Sequence, residues 1–174
     1  MSITMYTASV PMIMQTLTML VKVLDKAEWQ AQKRKIELQA LLCARRYPDM
    51  FPLIKQVQFT CDFAKGSTAR LAGISAPSYD DNETTFDALR TRITITLAFI
   101  QSVGATSIDG SEDSDIALNF GGKQLKFKGR EYLVGFAIPI MVLHMTAAYA
   151  ILRHNGVELG KADFRSELLV RSAA

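Results

Sequence analysis

The chain has 174 residues, 49% hydrophobic and 21% charged, which is enough apolar material for one compact domain with a full core and close to the globular average in charge. A net charge of +3, with basic residues scattered except for Lys33, Arg34 and Lys35, gives no footprint for nucleic acid. That short run reads as a solvated helix end.

A first helix is predicted from Ser9, as N-cap with Pro11 in the first turn, through MIMQTLTMLVKVLDKAEWQAQ. Met12, Leu17, Leu20, Val21 and Leu24 recur at helical spacing, and Met12, Met14 and Met19 read as adaptable core. A short helical piece over residues 36–43 leads into ARRYPDMFP, where two prolines break the pattern. A second long helix is predicted from Asp49, capping ahead of Pro52, to a stop at Gly73. Its inward stripe is Ile54, Val57, Cys61, Ala64 and Thr68. Gln58 and Asp62 lie one turn apart on the flank of that stripe.

After the turn-like SAPSYDDNE, Thr84 and Asp87 resemble a capping pair for a third helix, TTFDALRTRITITLAFIQSV, with Phe86, Leu89, Ile93, Leu97 and Ile100 inward. The segment IALNF-GG-KQLKF alternates about consecutive glycines, which tolerate the positive φ of a two-residue turn, so a hairpin is predicted over about 115–128. The last helix opens near Gly129 and ends at His154-Asn155-Gly156, with Gly156 as the left-handed stop. His154, in its last turn, is placed to meet free carbonyls and the helix dipole. Leu168, Leu169 and Val170 in the tail could pack on the body or on another subunit. The expected fold is therefore all-α, one domain over 1–174: a four-helix up-down bundle with a small hairpin before the last helix.

Residues 132–152 are almost wholly apolar, carry one polar ring, His144, near the middle, and are long enough to cross a bilayer. Gly135, Pro139 and His144 within them, together with amphipathic helices able to cover them, favour a central bundle helix and no membrane. Cys43 and Cys61 lack CxxC spacing and read as small core residues in a reducing compartment. MSITMYTASVP lacks the basic start and cleavage site of a secretory signal, so the expected location is the cytoplasm.

His144 is the chemical handle. An imidazole taken out of water without a partner costs roughly 1–3 kcal/mol, so a hydrogen bond, a metal or a ligand is required. Ala137, Ala147 and Ala148 at neighbouring helical positions leave space beside the ring, for a ligand or for close helix packing. Gln58 and Asp62 are the expected polar partners. Two readings stay open, a structural His–carboxylate pair and a ligand or metal site. The chain has no GxGxxG, Walker loop, GxSxG, HExxH or CxxC, and two histidines cannot make a three-histidine zinc site.

The segments DMFPLIKQVQFTCDFAKGSTARLAG, TTFDALRTRI and HMTAAYAILRHNGVELGKADF, with SITMYTASVP, resemble a bacterial family of unknown function within the DinB-like and YfiT-like metalloenzyme superfamily, over about residues 1–165. The resemblance implies a DinB/YfiT-type bundle, often a homodimer. In that superfamily active members bind a divalent metal through three histidines and include thiol-dependent transferases and isomerases. Carried over by position, His144 matches one ligand, Gln58 stands at about another, and Ile140 replaces the third, so two of the three histidines are missing. His144 is the only metal-ligand candidate retained, and no cofactor is assigned. The expectation is a small-molecule site formed by His144, Gln58 and Asp62 with the metal site degenerate. The alternatives are a metal-dependent, thiol-linked transferase or hydrolase, and an assembly protein without catalysis.

Overall fold

The computed structural model describes residues 3–164. The chain is mostly helical with one two-stranded antiparallel hairpin. Four long helices carry the core: α1 (Met5–Lys33), α3 (Leu53–Leu71), α4 (Phe86–Ser102) and α7 (Ile138–His154). Three short helices, α2 (Leu38–Cys43), α5 (Ala105–Ile108) and α6 (Gly129–Tyr132), take the described helices beyond the four expected. The hairpin is β1 (Asp115–Phe120) and β2 (Lys123–Lys128). The tail residues Leu168 to Val170 lie outside the described residues.

Helix α1 starts earlier than predicted. Thr4, not Ser9, is the N-cap: its hydroxyl accepts from the Thr7 amide while Thr7 Oγ1 accepts from the Thr4 amide, a reciprocal cap that satisfies two free donors. Ser9 donates instead to the Met5 carbonyl. Pro11 then falls inside the helix, where it forfeits one backbone bond. The buried row Met5, Val10, Ile13, Leu17, Leu20 and Leu24 carries the helix across that loss.

Helix α3 is central, packing most extensively on α7 and next on α4. Val57, Cys61, Ala64 and Thr68 are buried as predicted, whereas Ile54 is only half-buried and the helix begins at Leu53 without a side-chain cap from Asp49. Gly73, with φ +67, stops it. Thr85 rather than Thr84 caps α4 by accepting from the Ala88 amide.

The hairpin forms as the glycines require: Gly121 and Gly122 have φ of +57 and +76, and the strands pair Phe120 with Lys123 and Ile116 with Phe127. Gly129 makes the junction possible. A Cβ at this position would sit 1.9 Å from the Ser111 carbonyl oxygen, so only glycine lets the helix start against that loop.

The apolar run forms one rod, Gly129–His154, with a π-helical turn at Leu133–Ala137 just before Pro139. Proline has no amide hydrogen and crowds the carbonyl four residues back, and the wider turn absorbs this defect. Gly156 ends the rod with φ +83. By length and composition this rod and α1 could each cross a membrane; half of the apolar stretch of α1 and a third of that of the rod are buried within the fold. His154 is exposed in the last turn.

Candidate functional site

His144 sits where α7 faces the start of α3. It is half-buried rather than sealed, which corrects the expectation from its apolar surroundings. Its Nδ1 lies 2.8 Å from Gln56 Oε1, so the partner is neither residue expected but one two positions before Gln58 on α3. The reason is angular. Residues two apart on a helix point to nearly opposite flanks, and α3 has a different neighbour on each. Gln56, Phe59 and Phe63 turn toward α7; Gln58 and Asp62 turn toward α4.

The proton on the imidazole follows from the hydrogen bonds. Gln56 Nε2 donates to the Phe51 carbonyl oxygen at 3.0 Å, and a carbonyl can only accept. The amide is therefore oriented with Oε1 toward the ring, and Nδ1 must carry the hydrogen it donates. Nε2 is left with a bare lone pair. Among the described residues it has no hydrogen-bond partner, and it is not sealed from solvent. Burial pushes the imidazole pKa below its ordinary value, so the ring is neutral at pH 7.

Two phenylalanines hold the ring. Phe63 stacks on His144 at 5.7 Å between centroids, and Phe59 is 4.9 Å away at a tilt. Phe51 meets Phe59 edge-on at 4.9 Å, and Phe63 continues to Phe136, Phe120 and Phe127. The result is a row of aromatic rings with one basic nitrogen in it. Beside it is a cavity of about 250 Å³ lined by Asp49, Met50, Phe51, Gln56, Leu143, His144 and Ala147. Ala147 thus supplies the space that the small residues around His144 suggested.

A larger hollow, about 490 Å³, opens at the base of the hairpin between Asp115, Ala117, Lys126, Lys128 and Glu131. Its best-placed charges, Lys128 and Asp115, already pair at 2.7 Å in full solvent. The His144 cavity is smaller but is lined by a half-buried imidazole with a free acceptor nitrogen, and the chemistry favours it.

Gln58 and Asp62 belong to a different arrangement, and neither reaches the imidazole. Gln58 is fully buried, its amide donating to Glu83 Oε2 at 2.6 Å. Asp62 accepts from Arg92 Nη2 at 2.8 Å and pairs with Lys65 at 3.2 Å. The centre is Arg92, whose guanidinium also meets Glu83 at 2.9 Å, Asp81 at 2.8 Å and the face of Tyr79 at 4.8 Å. Lys65 adds a bond to the Pro77 carbonyl oxygen at 2.8 Å. Together these fasten the α3–α4 connection onto both helices. Burial opposes charge on Glu83, but hydrogen bonds from Arg92 and Gln58 outweigh it and hold its carboxyl below the usual range. Sequence reasoning missed Arg92, although a cation directly before Ile93 on the apolar stripe was the available signal.

Cys61 lies under this network, where burial pushes its thiol up to about 12. Cys43 is exposed rather than part of the core, because the short α2 turns Leu41 and Leu42 inward and leaves its last residue on the outer side.

The donors do not fit a catalytic metal centre of the superfamily kind. Among the described residues no group of three or more His, Cys, Asp or Glu side chains is arranged to hold an ion. Ile140 offers no donor, and Gln56 engages the imidazole directly.

Over residues 5–165 the sequence matches the family model described as a domain of unknown function, DUF1993. The chain belongs to this family. The DUF1993 chain is also similar to a solved structure of a DinB family member protein from Shewanella denitrificans, at 37% identity and a TM-score of 0.86, covering 97% of this chain and 95% of that one. Comparison with curated proteins finds no match. The family likeness confirms the resemblance carried by MFPLIKQVQ and AILRHNG, and it leaves the chemistry to be argued from the site.

Proposed function

We propose that this DUF1993 protein binds a small molecule in the crevice between α3 and α7, with the superfamily metal site degenerate. The observation that carries this reading is the accessible bare Nε2 of His144 beside an apolar cavity, its tautomer set by Gln56 and Phe51. A ligand donating an N–H or O–H to Nε2 would complete the ring's hydrogen bonding while its apolar part covers Met50, Phe51 and Leu143. The four long helices serve as an up-down bundle framing the crevice. The setting is a reducing cytoplasm, and neither nucleic acid nor a membrane is a partner in this reading.

Nitrogen-15 NMR of the histidine rings tests the premise: Nδ1 should be protonated and Nε2 bare. Gln56→Leu should scramble that preference. A ring protonated at Nε2 in the wild-type protein removes the acceptor and with it the proposal. Asp62, which lines a smaller hollow with Phe63, Arg70 and Asn119, and Gln58 act in this reading through the fastening of α3.

A second reading, assembly as a homodimer, is favoured by the rod Gly129–His154, which leaves Val134 and Leu143 largely exposed on its apolar surface. Analytical ultracentrifugation should give twice the chain mass, and Val134→Glu should return it to one. A wild-type monomer at 100 μM, roughly the upper range of weak specific association, sinks this reading.

A further inference from the structure

The lining of the His144 cavity says more than that something binds there. It contains one carboxylate, Asp49, one lone-pair nitrogen, His144 Nε2, and one amide, Gln56, whose two polar ends are already engaged. Every one of these free groups is an acceptor. No lysine or arginine lines the cavity, and the ring beside it is held neutral by burial. Asp49 has no hydrogen bond or ion pair among the described residues, so its charge is unspent. The remaining surface is apolar, and its rim is too: Met50, Phe51 and Leu143 are 39%, 53% and 56% exposed.

An anion would therefore meet repulsion from Asp49 and find no cationic side chain in the lining. A wholly apolar molecule would leave Nε2 unpaired under cover, which is costly, and would gain nothing from the exposed Asp49 carboxylate. A cation with N–H donors and an apolar ring answers each surface in turn. The ammonium takes Asp49 and Nε2 as acceptors, while the ring covers Met50, Phe51, Leu143 and Ala147. The volume of about 250 Å³ falls below the roughly 300–1,000 Å³ of drug-sized sites, so a single-ring molecule is the fitting size. Arg45, on the same loop, donates to the Pro48 carbonyl oxygen and lies outside the lining.

We infer that the ligand of this site is a small arylalkyl ammonium compound. This rests on the preceding reading that the crevice binds a small molecule. Three isosteric probes separate the two ideas: 2-phenylethylamine, 2-phenylethanol and phenylacetate, titrated at millimolar concentration into the full-length protein and followed by shifts of the His144 ring and neighbouring methyl resonances. The amine should bind about fivefold tighter than the alcohol, the gain expected of one partly exposed ion pair, and phenylacetate weakest. Asp49→Asn should bring the amine's affinity down to the alcohol's, and added salt should erode the difference in the wild-type protein.

Equal binding of amine and alcohol, or tighter binding of phenylacetate through Arg45 and Arg46, overturns the ammonium assignment while the crevice keeps its role. Failure of all three probes to shift His144 overturns the crevice itself.

Discussion

Replacing Arg92 with methionine should destabilise the protein by about 3 kcal/mol, at the low end of the roughly 3–5 kcal/mol for breaking a buried ion pair. Methionine keeps most of the stem volume, so the loss reports the missing charge. The low end follows from exposure: the Arg92 side chain is 1% exposed and Glu83 11%, whereas Asp62 and Asp81 are 33% and 37% exposed and regain solvation when released. Glu83 alone is stranded, with Gln58 its remaining side-chain donor. Urea denaturation should show the loss with an unchanged slope, and Tm should fall by about 6–12 °C for a chain of this size.

Adding Glu83→Gln to Arg92→Met should recover about 1–2 kcal/mol, because the unpaired buried charge is then gone. The pH dependence has a definite sign. The Glu83 carboxyl is held below its unfolded value of 4.5, so its contribution is complete above that pH and is lost as pH falls through the lower, folded pKa. The stability gap between wild type and Glu83→Gln should therefore start to close below about pH 5 and go on closing as pH falls through the folded pKa. A loss below about 1 kcal/mol in Arg92→Met, or a gain, would refute the claim that the guanidinium fastens the α3–α4 connection.

Gly129→Ala should cost about 2–3 kcal/mol or more, measured by thermal denaturation, because the new methyl meets backbone oxygen rather than a movable side chain; an unchanged Tm would show that the Ser111 loop yields freely. With iodoacetamide at pH 8, Cys43 should be modified readily while Cys61, buried and with its thiol pushed up to about 12, stays protected until the protein unfolds. Equal labelling of both in native protein would mean that α3 opens on the experimental timescale. The folded pKa of His144 is depressed, so the protein should lose stability as pH falls from the unfolded value of 6.5 through the folded one, and His144→Phe should flatten that slope; an NMR titration midpoint above 6.5 contradicts the desolvated ring.

The elements that depend on local chemistry were legible in the chain. Consecutive glycines Gly121 and Gly122 announced the hairpin turn, Gly73 and Gly156 the helix stops, and the 3.6-residue recurrence of Val57, Cys61, Ala64 and Thr68 the buried face of α3. These are properties of residues and their near neighbours, and so they survive without knowledge of the fold. The Ser9 start failed where local signals competed: a proline in a first turn is common, but the Thr4–Thr7 cap and the burial of Met5 and Val10 carried α1 further back.

Periodicity gives the direction of a helix's buried stripe, yet it does not say which neighbour lies on each side of it. Once α7 packs on one flank of α3 and α4 on the other, Gln56 is delivered to His144, and Gln58 and Asp62 go to Arg92. The chain alone determined that the imidazole needed a partner, because desolvation of a polar ring is a local cost. Only the tertiary packing decided which side chain answered it, which nitrogen stayed bare, and that an arginine on an apolar stripe would be neutralised by carboxylates from a loop nine or more residues away in sequence.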